Sequence, residues 1–173
     1  MREISFCAIR GLSLYSVVMN PSTSIYSHAQ ELTASASKPL HKRKRDPLVL
    51  AVQDAVQAVG YGSPVVEQWR ILADAANLAE TMLTLGLFDD PGALFSDAVA
   101  AVVVLGRAHG LGQPMRVSAS QLMHLTEFAE AYEQMLAQAS ERNYIHAHRA
   151  TERRLRELLM NGSGAGDYEF IVN

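Results

Sequence analysis

Apolar residues along the chain recur every three or four positions, the spacing of amphipathic helices, and breaks divide them into five segments. Three segments open with one signal, a helix N-cap residue followed by proline in the first helical position. These signals are Asp46-Pro47, Ser63-Pro64 and Asp90-Pro91, and the helices they open are predicted to end near Gly60, Gly86 and Gly110.

Two further helices follow. Ser118 and Gln121 have the spacing of a capping box, which predicts the start of a fourth helix. The pattern weakens between Ser140 and Asn143, and a fifth helix is predicted over 144–160. The sequence therefore predicts an all-α fold, a bundle of about five helices within residues 46–161.

The predicted second helix has an unusual row of polar groups, with Asp74, Asn77 and Glu80 at every third position. On a helical wheel they share one arc with Arg70, while the apolar residues occupy the remaining arc. We therefore expect a solvated outer face. The alternative is a groove lined by these groups, which requires another helix to cover them.

The predicted third helix, from Ala93 to Ala108, is apolar almost all round. Such a helix has to be covered on every side. We expect part of the covering to come from a second copy or another protein, with Val99, Val102 and Val103 as binding residues. The alternative is that this helix is simply the central one of the bundle.

The two ends of the chain differ in composition from the helical body. Residues 1–45 are rich in Ser and Thr and end in the cluster HKRKR, which predicts a disordered basic N-terminal arm. An alternative for this end is that translation begins at Met19, so that the first 18 residues are not part of the protein. At the other end, GSGAG precedes an apolar segment, so residues 162–173 are predicted to be a flexible tail. Tyr168 and Phe170 are expected to bind a partner.

Charge is distributed unevenly, with seven basic and two acidic side chains in the first 45 residues of a chain whose net charge is −3. Such a basic cluster raises nucleic-acid binding as an alternative function. The candidate contacts to phosphates are the arm residues Lys42, Arg43, Lys44 and Arg45, with an outward stripe of Arg149, Arg153 and Arg156 on the last helix.

Candidate chemistry in the sequence is sparse. His148 points toward the apolar side of the last helix, where a core role is the more common one. His146 and His148 are two positions apart, so on a helix they face different directions and do not share a metal ion. Cys7 is the only cysteine, and cofactor fingerprints are not evident. We predict a cytoplasmic, non-enzymatic protein with no metal, cofactor or membrane span.

Three stretches carry a family resemblance: WRILADAANLAETML, the FxxxYExML pattern from Phe128 to Leu136, and YIHAHRATERRL. Across about residues 63 to 158 the chain resembles a loose group of small helical proteins from proteobacterial prophages and plasmids. The resemblance implies an origin in a mobile element, where some members are labelled as transcriptional regulators. It implies no residue-level mechanism.

Overall fold

A computed structural model of the chain describes residues 24–62, 64–89 and 94–161, with side chains as far as residue 157. The all-α prediction is confirmed: the described residues form five long helices and one short one, with no strand. The helices are α1 His28–Thr33, α2 Lys42–Gly60, α3 Val66–Thr84, α4 Leu94–Gly110, α5 Ala119–Gln138 and α6 Glu141–Asn161.

The most enclosed helix is α3, which packs against α2, α4, α5 and α6. Small side chains such as Ala75, Ala76 and Ala79 are buried on it and let neighbouring backbones approach closely. By contrast, α4 packs against α3 and α5, and its outer side, including Asp97 and Ala100, is exposed. Within a single chain α4 is therefore not covered all round, and its covering by a second copy or another protein stays a prediction.

The core of the bundle is built from aliphatic side chains around a chain of aromatic rings. Phe128 is fully buried and makes an edge-to-face contact with Phe95, at 5.6 Å between ring centroids. Phe95 contacts Phe88 in the same way, and Phe128 also lies against Tyr132. Burying a large apolar side chain of this kind stabilises a fold by about 1.5–3 kcal/mol.

The first long helix begins earlier than the sequence predicts. It starts at Lys42, with His41 as its N-cap, so Asp46 and Pro47 lie inside the helix rather than opening it. The reason is tertiary: Leu40 is buried, and its backbone N–H donates to the carbonyl oxygen of Ala139 at 2.9 Å. The helix start predicted at Asp46-Pro47 is therefore wrong.

Residues 24–45, part of the predicted disordered arm, have a described structure in which they lie against the start of α6. Arg142 donates through Nε to the carbonyl oxygen of Ala34 and through Nη2 to that of Leu32, which satisfies the C-terminal end of α1. The rest of the predicted arm, residues 1–23 with Met19, lies outside the described residues.

The remaining helix starts vary in how well they match the sequence signals. At α5 the capping box is confirmed, with Ser118 and Gln121 exchanging side-chain-to-backbone hydrogen bonds. At α3 the helix begins after Val65, whose N–H donates to the side-chain oxygen of Gln68 at 2.8 Å. Ser63 and residues 90–93 lie outside the described residues. Among the described helices, none combines the length and apolarity that a membrane crossing needs.

Candidate partner-binding site

The valines predicted to bind a partner lie mostly inside the bundle. Val102 is fully buried, Val103 is buried and Val99 is half-buried, all within the shared core. A partner cannot reach Val102 or Val103 without opening the bundle, so neither side chain belongs to a binding surface of the folded chain. Tyr168 and Phe170 lie outside the described residues.

Trp69 explains why this side of α4 is closed. Its indole Nε1–H donates to the carbonyl oxygen of Val102 at 3.1 Å. Its ring also lies against Gly106, where a Cβ atom would be 2.9 Å from Cζ2 of the indole. The missing side chain at Gly106 thus makes room for a tryptophan from α3, a long-range fit that helical periodicity does not reveal.

Two loops lie at the same end of the bundle. The end of α2 lies beside the first turn of α5, because a Cβ at Gly60 would be 3.6 Å from Cδ2 of Leu122. The start of α3 lies beside the last turns of α4, since the rings of Trp69 and His109 are 6.1 Å apart. The 61–65 and 111–118 loops therefore emerge at the same end.

Large apolar side chains are exposed at this end. Tyr61 is 76% exposed, Leu111 70%, Val65 53% and Met123 51%. We call these four residues the bundle-end surface. Tyr61 and Leu111 follow α2 and α4, which pack against α3 and α5 rather than against each other, so the four residues are spread across this end. Large exposed apolar residues concentrated at one end of a domain are candidates for an interaction site.

The two most exposed members of the bundle-end surface occupy equivalent places in the fold. Tyr61 lies between Gly60 and Gly62, and Leu111 between Gly110 and Gly112, each directly after a helix. Gly62 and Gly112 have φ angles of 74° and 66°, a left-handed conformation that glycine adopts at little cost. The repeated glycine–apolar–glycine pattern is the sequence signal from which these two exposed residues could have been predicted.

The predicted nucleic-acid contacts on the arm form the first turn of α2. Lys42 and Arg43 are exposed. Lys44 donates to a carboxylate oxygen of Glu141 at 2.7 Å, and this hydrogen bond is the main reason that the pKa of Lys44 lies above its usual value. Arg45 pairs with the adjacent Asp46.

The predicted arginine stripe on α6 is only partly available. Arg149 is bound to the carboxylate of Glu31 and to His28 on α1. Arg153 is exposed and Arg156 is half-buried. Because Lys44 contacts the start of α6, Arg153 lies about 18 Å farther along that helix. The two basic groups are therefore separate patches.

The polar face of α3 is partly covered by α6. Arg154 donates to a carboxylate oxygen of Glu80 and approaches the side-chain oxygen of Asn77 at 3.4 Å. One turn farther on, Thr81 is buried and accepts a hydrogen bond from Thr151 at 2.8 Å. The expected solvated face is therefore wrong for the part of α3 that carries these groups.

Asp74, on the same face, is open to solvent on one side and crowded by protein around it. This desolvation raises the pKa of its carboxyl to about 7, with the charge of Arg70 acting in the opposite direction. The carboxyl therefore binds a proton near neutral pH. Thus the outer-face expectation holds for Asp74, though its environment is not that of a freely solvated carboxylate.

The two histidines of the HAH motif face different partners. His146 contacts the carboxylate of Glu31 at 2.6 Å from Nδ1. The ring of His148 makes an edge-to-face contact with the ring of Tyr26, at 5.3 Å between centroids. Its Nδ1 is 3.4 Å from a carboxylate oxygen of Glu152. Burial lowers the pKa of His148, and the charge of Glu152 opposes that effect.

The carboxylate of Glu31, on α1, is held by His146 and Arg149 of α6. Burial acts to raise the pKa of Glu31, but hydrogen bonds from His146 and Arg149 outweigh it and hold the pKa below its usual range. This part of the molecule is a polar junction that attaches α1. Within the described ranges, no three His, Cys, Asp or Glu side chains are grouped so that they could hold a metal ion.

Comparison with known proteins finds no matching family model, no similar curated protein and no similar solved structure.

Proposed function

We propose that this chain is a non-enzymatic accessory or regulatory protein that binds another protein through the bundle-end surface. A cytoplasmic role in a bacterial mobile element belongs to the same proposal and comes from the sequence resemblance. The observation that carries the binding proposal is that Tyr61, Val65, Leu111 and Met123 are each more than half exposed at one end of the bundle.

The position of these side chains supports binding. Tyr61 and Leu111 stand on short glycine-bounded turns fixed to the ends of two packed helices, so their backbones are held in place before a partner arrives. A preorganised apolar anchor loses little conformational entropy on binding. Tyrosine is also among the residues enriched in energetically dominant contacts at protein interfaces.

The test compares matched variants of the full chain. Tyr61→Ser with Leu111→Ser removes the two most exposed members of the bundle-end surface, whereas Leu50→Ser removes an apolar side chain that is also more than half exposed but lies about 16 Å back along α2. Light scattering detects a second copy, and quantitative co-purification from the native host detects another protein. We expect the bound species to be lost with the first variant and kept with the second. Equal retention by both variants would contradict the proposal.

Nucleic-acid binding is the second candidate function, and the first turn of α2 favours it. Lys42 to Arg45 place four cations at the N-terminal end of a helix, where the helix dipole already disfavours positive charge. A phosphate group there would relieve this repulsion. Lys42 and Arg43 project into solvent and are available for such a contact.

A gel-shift experiment tests this second candidate. Binding to phosphates predicts an affinity that falls steeply with salt and is lost when Lys42 and Arg43 become Gln. Arg153→Gln is the informative comparison, because it neutralises a cation of the separate patch on α6. If the shift does not depend on salt, or if Lys42→Gln with Arg43→Gln binds as wild type does, nucleic-acid binding at this site is excluded.

A further inference from the structure

The direction of α6 determines where the last residues of the chain emerge. Thr151 contacts Thr81, and Arg154 contacts Asn77, so α6 runs antiparallel to α3. At a rise of about 1.5 Å per residue, the end of α6 at Asn161 lies level with about residue 71 of α3. From there Val65, a member of the bundle-end surface, is about 9 Å farther along the same axis.

The segment that follows α6 has the length to reach that surface. Residues 162–166 are GSGAG, and five extended residues span at most about 17 Å. The next segment, DYEFIVN, contains four large apolar side chains: Tyr168, Phe170, Ile171 and Val172. A short apolar segment is thus tethered next to an exposed apolar surface.

Charge is complementary as well. Asp167 and Glu169 alternate with the apolar residues of the tail. The bundle end carries Arg107 in the last turn of α4 and Arg116 in the following loop, both exposed. Glu67, in the first turn of α3, is a like charge at this end. The arginines lie on the α4–α5 side, so we expect the tail to extend from α6 across the bundle end toward that side.

We propose that residues 168–172 pack onto the bundle-end surface of the same chain and cover it until a binding partner displaces them. This proposal rests on the proposed function, because it names what occupies the binding surface in the absence of a partner. A tethered segment binds at a high effective concentration, so even weak contacts keep the surface covered. A partner then has to compete with the tail.

Trp69 is a built-in reporter for this contact. It is the only tryptophan in the chain, is half-buried, and lies one helical turn from Val65. The measurements are quenching of Trp69 fluorescence by acrylamide and binding of the apolar dye anilinonaphthalene sulfonate. Both use the full chain, so that the helical bundle is unchanged among the samples.

Three full-length proteins are compared: wild type, Tyr168→Ser with Phe170→Ser, and Ile25→Ser. The last is the control, because Ile25 is an exposed apolar residue near the start of α1. We expect the tail variant alone to show a larger quenching constant and more bound dye. The free peptide DYEFIVN, added to that variant, should reverse both changes, and a peptide with Ser at both aromatic positions should not.

Two results would overturn the proposal. If quenching and dye binding are the same in the tail variant and the wild type, the tail does not cover the surface. If the differences appear only when light scattering shows a dimer, the occupant is the tail of a second copy. These measurements contain no partner, so they can fail while the surface still binds another protein, and they can succeed while no partner is found.

Discussion

The indole ring of Trp69 occupies the space where a side chain at Gly106 would be. Three ring atoms lie within 2.9–3.0 Å of the position of a Cβ atom there, and the ring is also anchored by its hydrogen bond to Val102. We expect Gly106→Ala to lower the free energy of unfolding by about 1 kcal/mol, because the overpacking exceeds alanine's advantage in helix propensity. Urea unfolding measures this change.

Gly60→Ala is the matched control for that substitution. Its Cβ would meet the side chain of Leu122 at 3.6 Å, an ordinary contact, so alanine should leave stability unchanged or raise it slightly. Combining Gly106→Ala with Trp69→Leu should cost less than the sum of the two single changes. If Gly106→Ala stabilises the protein as Gly60→Ala does, the described contact is wrong.

The attachment of α1 depends on polar contacts. No residue of α1 is buried, and Glu31 joins it to His146 and Arg149. We expect Glu31→Ala to speed hydrogen exchange at the amides of residues 28–34 while changing global stability little, since segments with few buried contacts open locally. Glu157→Ala, at an exposed site on α6, is the control. Unchanged exchange in α1 would contradict this account.

His148 makes stability depend on pH in a predictable direction. Burial lowers its pKa from the ordinary value of 6.5, so the folded chain resists a proton that the unfolded chain accepts. The neutral imidazole therefore stabilises the fold above that value, and this contribution is lost as the pH falls from 6.5 toward the folded pKa.

We expect His148→Gln to lose less stability than wild type when the pH is lowered through this window, as measured by urea unfolding on both sides of pH 6.5. His124→Gln, which removes a partly exposed histidine from α5, should retain the wild-type dependence. A His148→Gln protein with the same pH dependence as wild type would show that His148 is not responsible.

The start of α5 offers a test of local stability. Ser118 Oγ accepts a hydrogen bond from the backbone N–H of Gln121 at 3.2 Å. Removing such a cap costs about 1 kcal/mol, so Ser118→Ala should lower the free energy of unfolding by that amount. Ser120→Ala, in the same exposed turn, should cost less. Equal effects would mean that the cap contributes no particular stability.

Local signals account for what the sequence predicted well. The apolar spacing of α5 and the Ser118–Gln121 pair depend on residues within one or two helical turns, and both appear as expected. The predicted start of α2 is wrong because the contact that fixes the observed start joins Leu40 to Ala139, about a hundred residues away in the sequence. Sequence spacing contains no information about such a contact.

The burial of the predicted binding valines has a related reason. Apolarity alone predicts that α4 needs an external partner, whereas Gly106 allows Trp69 to cover the side of α4 that carries Val102 from within the chain. Two of the most exposed apolar residues, Tyr61 and Leu111, instead stand in turns that follow helix ends. Helical periodicity predicts which residues of a helix are buried or exposed, and it makes no prediction for residues in turns. Loops on a rigid scaffold nevertheless often carry function.

The central claim is that the bundle-end surface is an interaction surface, and site-specific photo-crosslinking in cells of the native host tests it most directly. A photoreactive phenylalanine at position 111 should give one discrete adduct with a partner protein or a second copy, and the adduct should disappear when Tyr61→Ser is added. The same probe at position 50, where the native leucine is also more than half exposed, should give none. Adducts of the same kind and yield from both positions, or an adduct from position 111 that persists with Tyr61→Ser, would contradict the claim.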